Sequence, residues 1–244
     1  RFPSTFFGHW SDLTEEFRIM CFSATASFTS AALLIPAGIY CTNKAMSLNK
    51  PYWAIGLLPL LFGLQQALEG LVWLALESPD PRSIRLSALG FMAFSHLFWL
   101  FWIPFASYML EPRGLKKTVF LALAALGGLY GASMYLPLLT HADWLTVTQI
   151  QHSISYEAAL IYDDYVPRVV VHALYAVIVL AALLLSSDRH IRIFGIIIAF
   201  SVAVATVFFG YAFISVWCYF AAVLSLYILF MIFKIARAQT AGTV

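Results

Sequence analysis

The stretch Leu57–Leu76, LLPLLFGLQQALEGLVWLAL, decides the fold, because about 20 predominantly apolar residues suffice for a helix to cross a bilayer. Gln65, Gln66 and Glu69 interrupt this stretch near its middle. A carboxyl group in hydrocarbon costs about 2.5–3.5 kcal/mol or more unless it faces the interior of a helix bundle. The segment therefore predicts a membrane helix with a buried polar face, and it is the first place to look for a functional site.

The composition of the whole chain is that of a membrane protein. The chain is 62% hydrophobic and 11% charged, with a mean hydropathy of +0.85. A soluble domain is about 45–50% apolar and about 25% charged. The net charge of +2 and the scattered basic residues argue against a nucleic-acid partner. The expected partner is the lipid bilayer, with other membrane subunits as a second possibility.

The hydropathy pattern predicts an all-α polytopic membrane protein with seven transmembrane helices. Residues 22–237 form a single transmembrane domain, between an N-terminal surface extension at 1–21 and a C-terminal tail at 238–244. The predicted spans are Phe22–Cys41, Trp53–Leu76, Leu86–Leu110, Val119–Leu139, Val166–Leu185, Ile191–Gly210 and Phe213–Ile235.

The distribution of Lys and Arg predicts the orientation. With alternating spans, nine basic residues fall on one side of the membrane and five on the other. The richer side is expected to be cytoplasmic, or the matrix or stroma of an organelle. The N-terminus and the long connection Thr140–Tyr165 are therefore predicted outside, and the C-terminus is predicted to be cytoplasmic. A chain that starts at Arg1 is compatible with a bacterial inner membrane or, after import processing, an organelle membrane.

Four pieces of sequence resemble a known family. They are MCFSATASF from Met20, FGLQQALEG from Phe62, the Ile154-Ser155-Tyr156 stretch, and SVWCYFAA from Ser215. The chain from Met20 onward is similar to an uncharacterised family of seven-helix integral membrane proteins, mainly bacterial. The resemblance implies an architecture but no activity, and residues 1–19 lie outside its pattern.

The polar residues of the second span form the main candidate site. Gln66, Glu69 and Trp73 share one helical face because they follow i, i+3, i+7 spacing. Gln65, Gln66, Glu69 and His96, near the middle of the third span, are predicted to form an intramembrane polar site. A Glu69–His96 pair would suit proton relay. The alternative is a structural clamp of hydrogen bonds that tie the helices together.

Other side chains are secondary candidates. His172 on the fifth span, together with His96, could ligate a haem iron, although the two are predicted to lie at different depths. Ser215 and Cys218 lie on the seventh span, where small residues also favour packing. Cys218 could instead form a disulfide with Cys21. Acidic and histidine side chains of the outer loop suggest a metal site but lack ligand spacing, so a solvated acidic loop is expected: His141, Asp143, His152, Glu157, Asp163 and Asp164.

Three classes of function are compatible with the sequence. The first is small-solute or proton transport, or ligand binding, at the intramembrane polar site. The second is a non-catalytic accessory subunit of a larger membrane complex, and the third is a membrane redox, metal or haem protein. The absence of any complete catalytic motif favours a protein that is not an enzyme. The sequence does not identify a metal or cofactor.

The fourth predicted span contains two small-residue packing motifs. Gly127-x-x-x-Gly131 and Ala124-x-x-x-Gly128 place small residues along the fourth span. Small residues at this spacing let the backbones of neighbouring helices approach closely. The fourth span is therefore expected to pack tightly against another helix.

Overall fold

The computed structural model of the protein describes residues 23–48, 51–77, 80–150, 152–208 and 213–242. These residues are mostly helical, in agreement with the predicted all-α class, and one two-stranded hairpin is added. The helices are α1 (Ala24–Met46), α2 (Trp53–Gly56), α3 (Leu58–Glu77), α4 (Pro81–Met92), α5 (Trp99–Leu110), α6 (Leu115–Thr140), α7 (Arg168–Leu184), α8 (Arg189–Phe208), α9 (Phe213–Leu224) and α10 (Leu226–Ala241). A π-helical turn, Ala93–Phe98, joins α4 to α5, and a short 3₁₀ turn, Ala142–Trp144, precedes strands β1 (Leu145–Ile150) and β2 (Ser153–Ala158).

Within those ranges, six helical segments are long and apolar enough to cross a membrane. The fifth predicted span corresponds to α7, which is apolar but only 17 residues long. The architecture is therefore compatible with an integral membrane protein, and the number of seven spans stays a prediction. Two spans are interrupted, the second between α2 and α3 and the last at Ser225. Helix α10 continues to Ala241, beyond the predicted end of the transmembrane domain at residue 237.

The first helix begins at a side-chain cap. Ser23 Oγ accepts a hydrogen bond from the backbone N–H of Ala26 at 3.2 Å, which satisfies one of the free donors of the first turn. The N-terminal surface extension predicted at residues 1–21 lies outside the described residues. The same holds for Cys21 and therefore for its predicted bridge to Cys218.

Glycines bring α1 and α3 into backbone contact. A Cβ atom added at Gly38 would lie 2.1 Å from the backbone nitrogen of Leu60, and one at Gly63 would lie 3.0 Å from that of Ile35. Gly70 leaves room for the ring of Phe28, 2.7 Å from the same hypothetical atom. Close approach of this kind increases van der Waals contact between helices in an apolar environment. It places α3, with its polar residues, deep in the bundle.

The predicted tight packing of the fourth span is confirmed for one of its two motifs. A Cβ atom at Gly127 would lie 2.1 Å from the carbonyl oxygen of Leu100, and one at Gly131 would lie 2.8 Å from that of His96. Both glycines of α6 therefore contact the π-helical turn and α5. Ala124 is also buried, whereas a Cβ atom at Gly128 would meet nothing closer than 3.7 Å.

The long connection Thr140–Tyr165 contains a β-hairpin, and the acidic side chains that were expected to be solvated are exposed. Strands β1 and β2 pair antiparallel, with Leu145 opposite Ala158 and Val147 opposite Tyr156. The first four residues of β2 are buried, and the strand packs against α9 while β1 packs against α4. The β-branched Thr146, Val147, Thr148 and Ile150 favour a strand at β1 because such side chains fit a pleated, half-buried surface. The hairpin therefore lies against α4 and α9.

Candidate functional site

Glu69 lies in the interior of the bundle, on the buried face of α3. The residue is 2% exposed. Its carboxyl oxygens accept two hydrogen bonds, one from Gln66 Nε2 at 3.1 Å and one from Ser215 Oγ at 2.5 Å. Gln66 stands one turn away on the same helix, whereas Ser215 belongs to α9. The carboxyl group therefore connects two spans that are far apart in the sequence.

Gln65 connects the same helix to α5. Its Oε1 accepts a hydrogen bond from Trp99 Nε1 at 2.9 Å, and the Trp99 ring stacks on Phe62 with 4.0 Å between ring centroids. Gln65 is fully buried, and its Nε2 has no hydrogen-bond partner among the described residues. The Oε1 of Gln66 is likewise unpaired there. Buried polar atoms nearly always have a partner, so these two atoms mark places where water or a small polar ligand can bind.

Tyr156 joins the site from the hairpin, although the residue was not among the predicted site residues. Its ring stacks on Phe91 with 4.8 Å between centroids, and its hydroxyl is buried without a hydrogen-bond partner in the described part of the chain. Burial, followed by the neighbouring Glu69 and Cys218, raises the pKa of Tyr156 well above its ordinary value. Tyr156 therefore stays a neutral phenol that can donate a hydrogen bond throughout the physiological pH range.

A small cavity lies beside the polar residues. It measures about 30 Å³, which is room for about two water molecules. Its lining is mostly apolar and includes Phe62, Trp99, Tyr175, Trp217 and Cys218. The indole Nε1 of Trp217 is buried and, among the described residues, unpaired. The cavity thus combines an apolar wall with a hydrogen-bond donor, next to the helix that carries Gln65.

The secondary candidates Ser215 and Cys218 both lie at this site. Ser215 is 1% exposed and donates to Glu69, as described above. Cys218, one turn further along α9, is 5% exposed, lines the cavity, and packs in the same apolar cluster as Tyr156 and Trp73. The structure therefore brings together Gln65, Gln66, Glu69, Ser215 and Cys218.

His96 occupies a different position from the one expected. It lies in the π-helical turn, and its Nδ1 is 3.0 Å from Ser95 Oγ. In the described ranges no hydrogen bond joins His96 to Glu69. The Glu69 oxygens accept hydrogen bonds from Gln66 and Ser215. The hydrogen bonds of the described residues therefore join Glu69 to Gln66 and Ser215 rather than to His96. His96 lies within a π-helical turn, a feature often found at functional sites.

His172 lies on α7, one turn after Arg168. Its exposed ring stacks on Phe213 with 5.8 Å between centroids. His172 and Arg168 both act electrostatically on His96. The cationic Arg168 beside both imidazoles works against a positively charged metal at this place.

Residues of the connection Thr140–Tyr165 that suggested a metal site form hydrogen bonds and ring contacts within the protein. Asp163 Oδ2 accepts hydrogen bonds from the backbone N–H of Leu160 at 2.7 Å and from Arg168 at 2.5 Å. His141 stacks on Trp144, with 4.5 Å between centroids. Across the described part of the chain, no group of three or more His, Cys, Asp or Glu side chains is arranged to hold a metal ion.

Comparison with known proteins places the chain in a family but not in a functional class. No curated protein and no solved structure matches the chain. A family model described as a family of unknown function (DUF6629) matches residues 20–243, which is nearly the whole chain. The expected membership of an uncharacterised family is thereby confirmed. The chain belongs to DUF6629, a family of unknown function.

Proposed function

We propose that this protein is an integral membrane protein that binds and releases a proton at Glu69, and that this carboxyl group is coupled to water or a small solute in the adjacent cavity. The observation that carries the proposal is the buried carboxyl of Glu69, 2% exposed, in a helix apolar enough to cross a membrane. Ionisable residues inside a membrane bundle are rare, and they mark ion pathways and proton relays.

The surroundings of Glu69 support proton handling more than binding of a large solute. A cavity of about 30 Å³ is far below the roughly 300–1,000 Å³ of a typical small-molecule site. Unpaired atoms of Gln65, Gln66, Tyr156 and Trp217 provide both donors and acceptors for water. A short chain of water molecules bonded to these atoms would connect the carboxyl group to its surroundings.

The hairpin gives the site an outer cover. Tyr156 lies close enough to Glu69 to interact with it electrostatically, and its neutral phenol can donate to a carboxylate. Proton exchange on the outer side would then require the Tyr156 ring to move off Phe91, on which it stacks. Motion of the hairpin would thus control access to Glu69.

Proton movement in proteoliposomes tests the proposal. A pH-sensitive dye is enclosed with the reconstituted protein, and a pH step is applied outside. The wild type should dissipate the gradient, and Glu69→Gln should abolish the protein-dependent part because glutamine lacks a titratable proton. Glu77→Gln is the matched control, since Glu77 is exposed and lies two turns further along α3. Wild-type flux in Glu69→Gln would overturn the proposal.

We also propose that the N-terminus and residues 140–165 face the outside of a bacterial inner membrane or the equivalent side of an organelle membrane. The nine basic residues of the richer side support this orientation. The connections on that side also contact each other: Ser187 Oγ donates to Glu111 at 2.5 Å, and the Tyr52 hydroxyl donates to Asp188 at 2.6 Å.

Cysteine labelling from one side of the membrane tests the orientation. Thr148 and Lys116 are both exposed, the first on the hairpin and the second at the start of α6. A membrane-impermeant maleimide added outside intact cells should label Thr148→Cys and leave Lys116→Cys unmodified until the membrane is opened. The reverse pattern would contradict the proposed orientation.

A further inference from the structure

An open apolar groove runs between α1 and α10 on the outer surface of the bundle. Its volume is about 510 Å³, within the range of roughly 300–1,000 Å³ found for ligand sites. Tyr40, Phe230 and Phe233 are 48%, 58% and 41% exposed, so the groove faces the surroundings of the bundle. The lining residues are Ala37, Tyr40, Leu226, Leu229, Phe230 and Phe233.

Basic side chains continue both walls of the groove. Lys44 follows Ala37 and Tyr40 at i, i+3, i+7 spacing, so it shares their face of α1. Arg237 follows Phe230 and Phe233 at the same spacing on α10. Its guanidinium lies over the Phe233 ring, 4.4 Å from the ring centroid. Lys234 is one turn beyond Phe230 and is exposed.

These cations lie toward the same end of the groove, because α1 and the α9–α10 span run in the same direction. Early in α1, Phe28 contacts Gly70 of α3, and early in α9, Ser215 contacts Glu69 of α3. Both helices therefore start near the same level of α3 and then run on to the groove. The C-terminal ends of α1 and α10, which carry the basic residues, therefore lie on the same side of the bundle.

None of the carboxylates in the described part of the chain neutralises the three cations. Within the described ranges, Lys44, Lys234 and Arg237 form no salt bridge with a carboxylate. An apolar groove that ends in three uncompensated positive charges is complementary to an amphiphile with an anionic head. A second copy of this chain fits less well, because a two-fold contact through this face would bring like charges together.

We propose that the groove between α1 and α10 is a binding site for an anionic phospholipid, with an acyl chain against Ala37, Leu229 and Phe233 and the phosphate between Lys44, Lys234 and Arg237. The site requires that the chain is embedded in a membrane, but it does not depend on proton binding at Glu69. Basic residues next to membrane helices attract anionic lipid head groups. The apolar groove adds selectivity for a lipid molecule over free phosphate.

Lipid titration of the purified full chain in detergent tests the site. The probes are dioleoyl phosphatidylglycerol and dioleoyl phosphatidylcholine, with bound lipid counted by native mass spectrometry and thermal stability followed in parallel. The wild type should retain phosphatidylglycerol preferentially. The variant K44Q/K234Q/R237Q should bind it about a hundredfold more weakly, at about fivefold for each lost charge.

Two further variants separate local binding from general charge. The control R113Q/K116Q/R192Q removes three cations from the same side of the bundle, away from the groove, and should leave phosphatidylglycerol binding unchanged. Ala37→Trp should fill the groove and reduce retention while all three cations remain. K44R/K234R/R237K conserves the charges and should retain binding.

Several results would overturn the proposal. Equal affinity of the wild type for the two lipids would show that the groove takes any acyl chain. An equal loss in the control variant would assign the effect to diffuse surface charge. A dimer that persists without lipid and is broken by Ala37→Trp would show that a second copy of the chain covers the groove.

Discussion

Replacing Glu69 by leucine is expected to destabilise the protein strongly, whereas replacing it by glutamine is expected to leave its stability nearly unchanged. Leucine removes the acceptor of both Gln66 Nε2 and Ser215 Oγ, which are buried. Each buried donor left without a partner costs about 1–3 kcal/mol. Glutamine can keep both bonds, because its Oε1 accepts from Ser215 while its Nε2 donates to the unpaired Oε1 of a rotated Gln66 amide.

Thermal unfolding in detergent measures this difference. Glu69→Leu should lower the midpoint by at least about 5 °C relative to Glu69→Gln. Glu77→Leu is the control, because Glu77 is exposed on the same helix. A Glu69→Leu protein as stable as the wild type would mean that the hydrogen bonds to Ser215 and Gln66 contribute nothing.

Gly127→Ala is expected to destabilise the bundle by about 3 kcal/mol or more, the upper part of the range for overpacked cores. The added methyl group would lie 2.1 Å from the carbonyl oxygen of Leu100 and 3.1 Å from a side-chain carbon of Ile178. The first contact is with backbone, so it can be relieved only by moving α6 away from α5. That movement would also open the contact at Gly131, one turn further along α6.

The neighbouring glycine provides a matched control. A methyl group at Gly128 would meet the Phe101 side chain at 3.7 Å, an ordinary contact. Alanine is also favoured over glycine within a helix by about 1 kcal/mol. Gly128→Ala should therefore unfold at the wild-type temperature or above it, and Gly127→Ala clearly below. Equal midpoints for the two variants would contradict the close approach of α6 to α5.

The positions of the helices were largely predictable because each span is a continuous apolar run. The span predicted at Val119–Leu139 corresponds to the helix Leu115–Thr140. The span predicted at Val166–Leu185 corresponds to the helix Arg168–Leu184. Helices extend past the apolar run where polar residues can reach water, as in α10. Hydropathy cannot show the break at Ser225 or the π-helical turn, since both depend on local hydrogen bonding.

The hairpin was not predicted, because the charged and histidine side chains of this connection favoured a solvated loop. The available signal was the run Leu145–Ile150, in which four of the six residues are β-branched, followed after two residues by Ser153–Ala158. Its consequence for the site, the approach of Tyr156 to Glu69, depends on how the hairpin packs against α9. Such long-range packing cannot be derived from a local pattern.

The candidate site was only partly predictable for the same reason. The buried face with Gln66 and Glu69 follows from helical periodicity and the cost of exposing an acid to lipid. Neither helical periodicity nor this cost identifies the hydrogen-bond partner that a distant helix provides to Glu69. His96 was expected because consecutive spans tend to be neighbours, but Ser215, from the last span, provides the hydrogen bond.

The most direct test of the central claim is a pH titration of the Glu69 carboxyl group by infrared difference spectroscopy, in protein reconstituted into lipid. The carbonyl stretch of a protonated carboxyl group is distinct from that of a carboxylate. We expect a pH-dependent carbonyl band in the wild type and in Glu77→Gln that is missing in Glu69→Gln. If the Glu69 band does not change with pH, or if the same pH-dependent band persists in Glu69→Gln, Glu69 is not a proton-binding site.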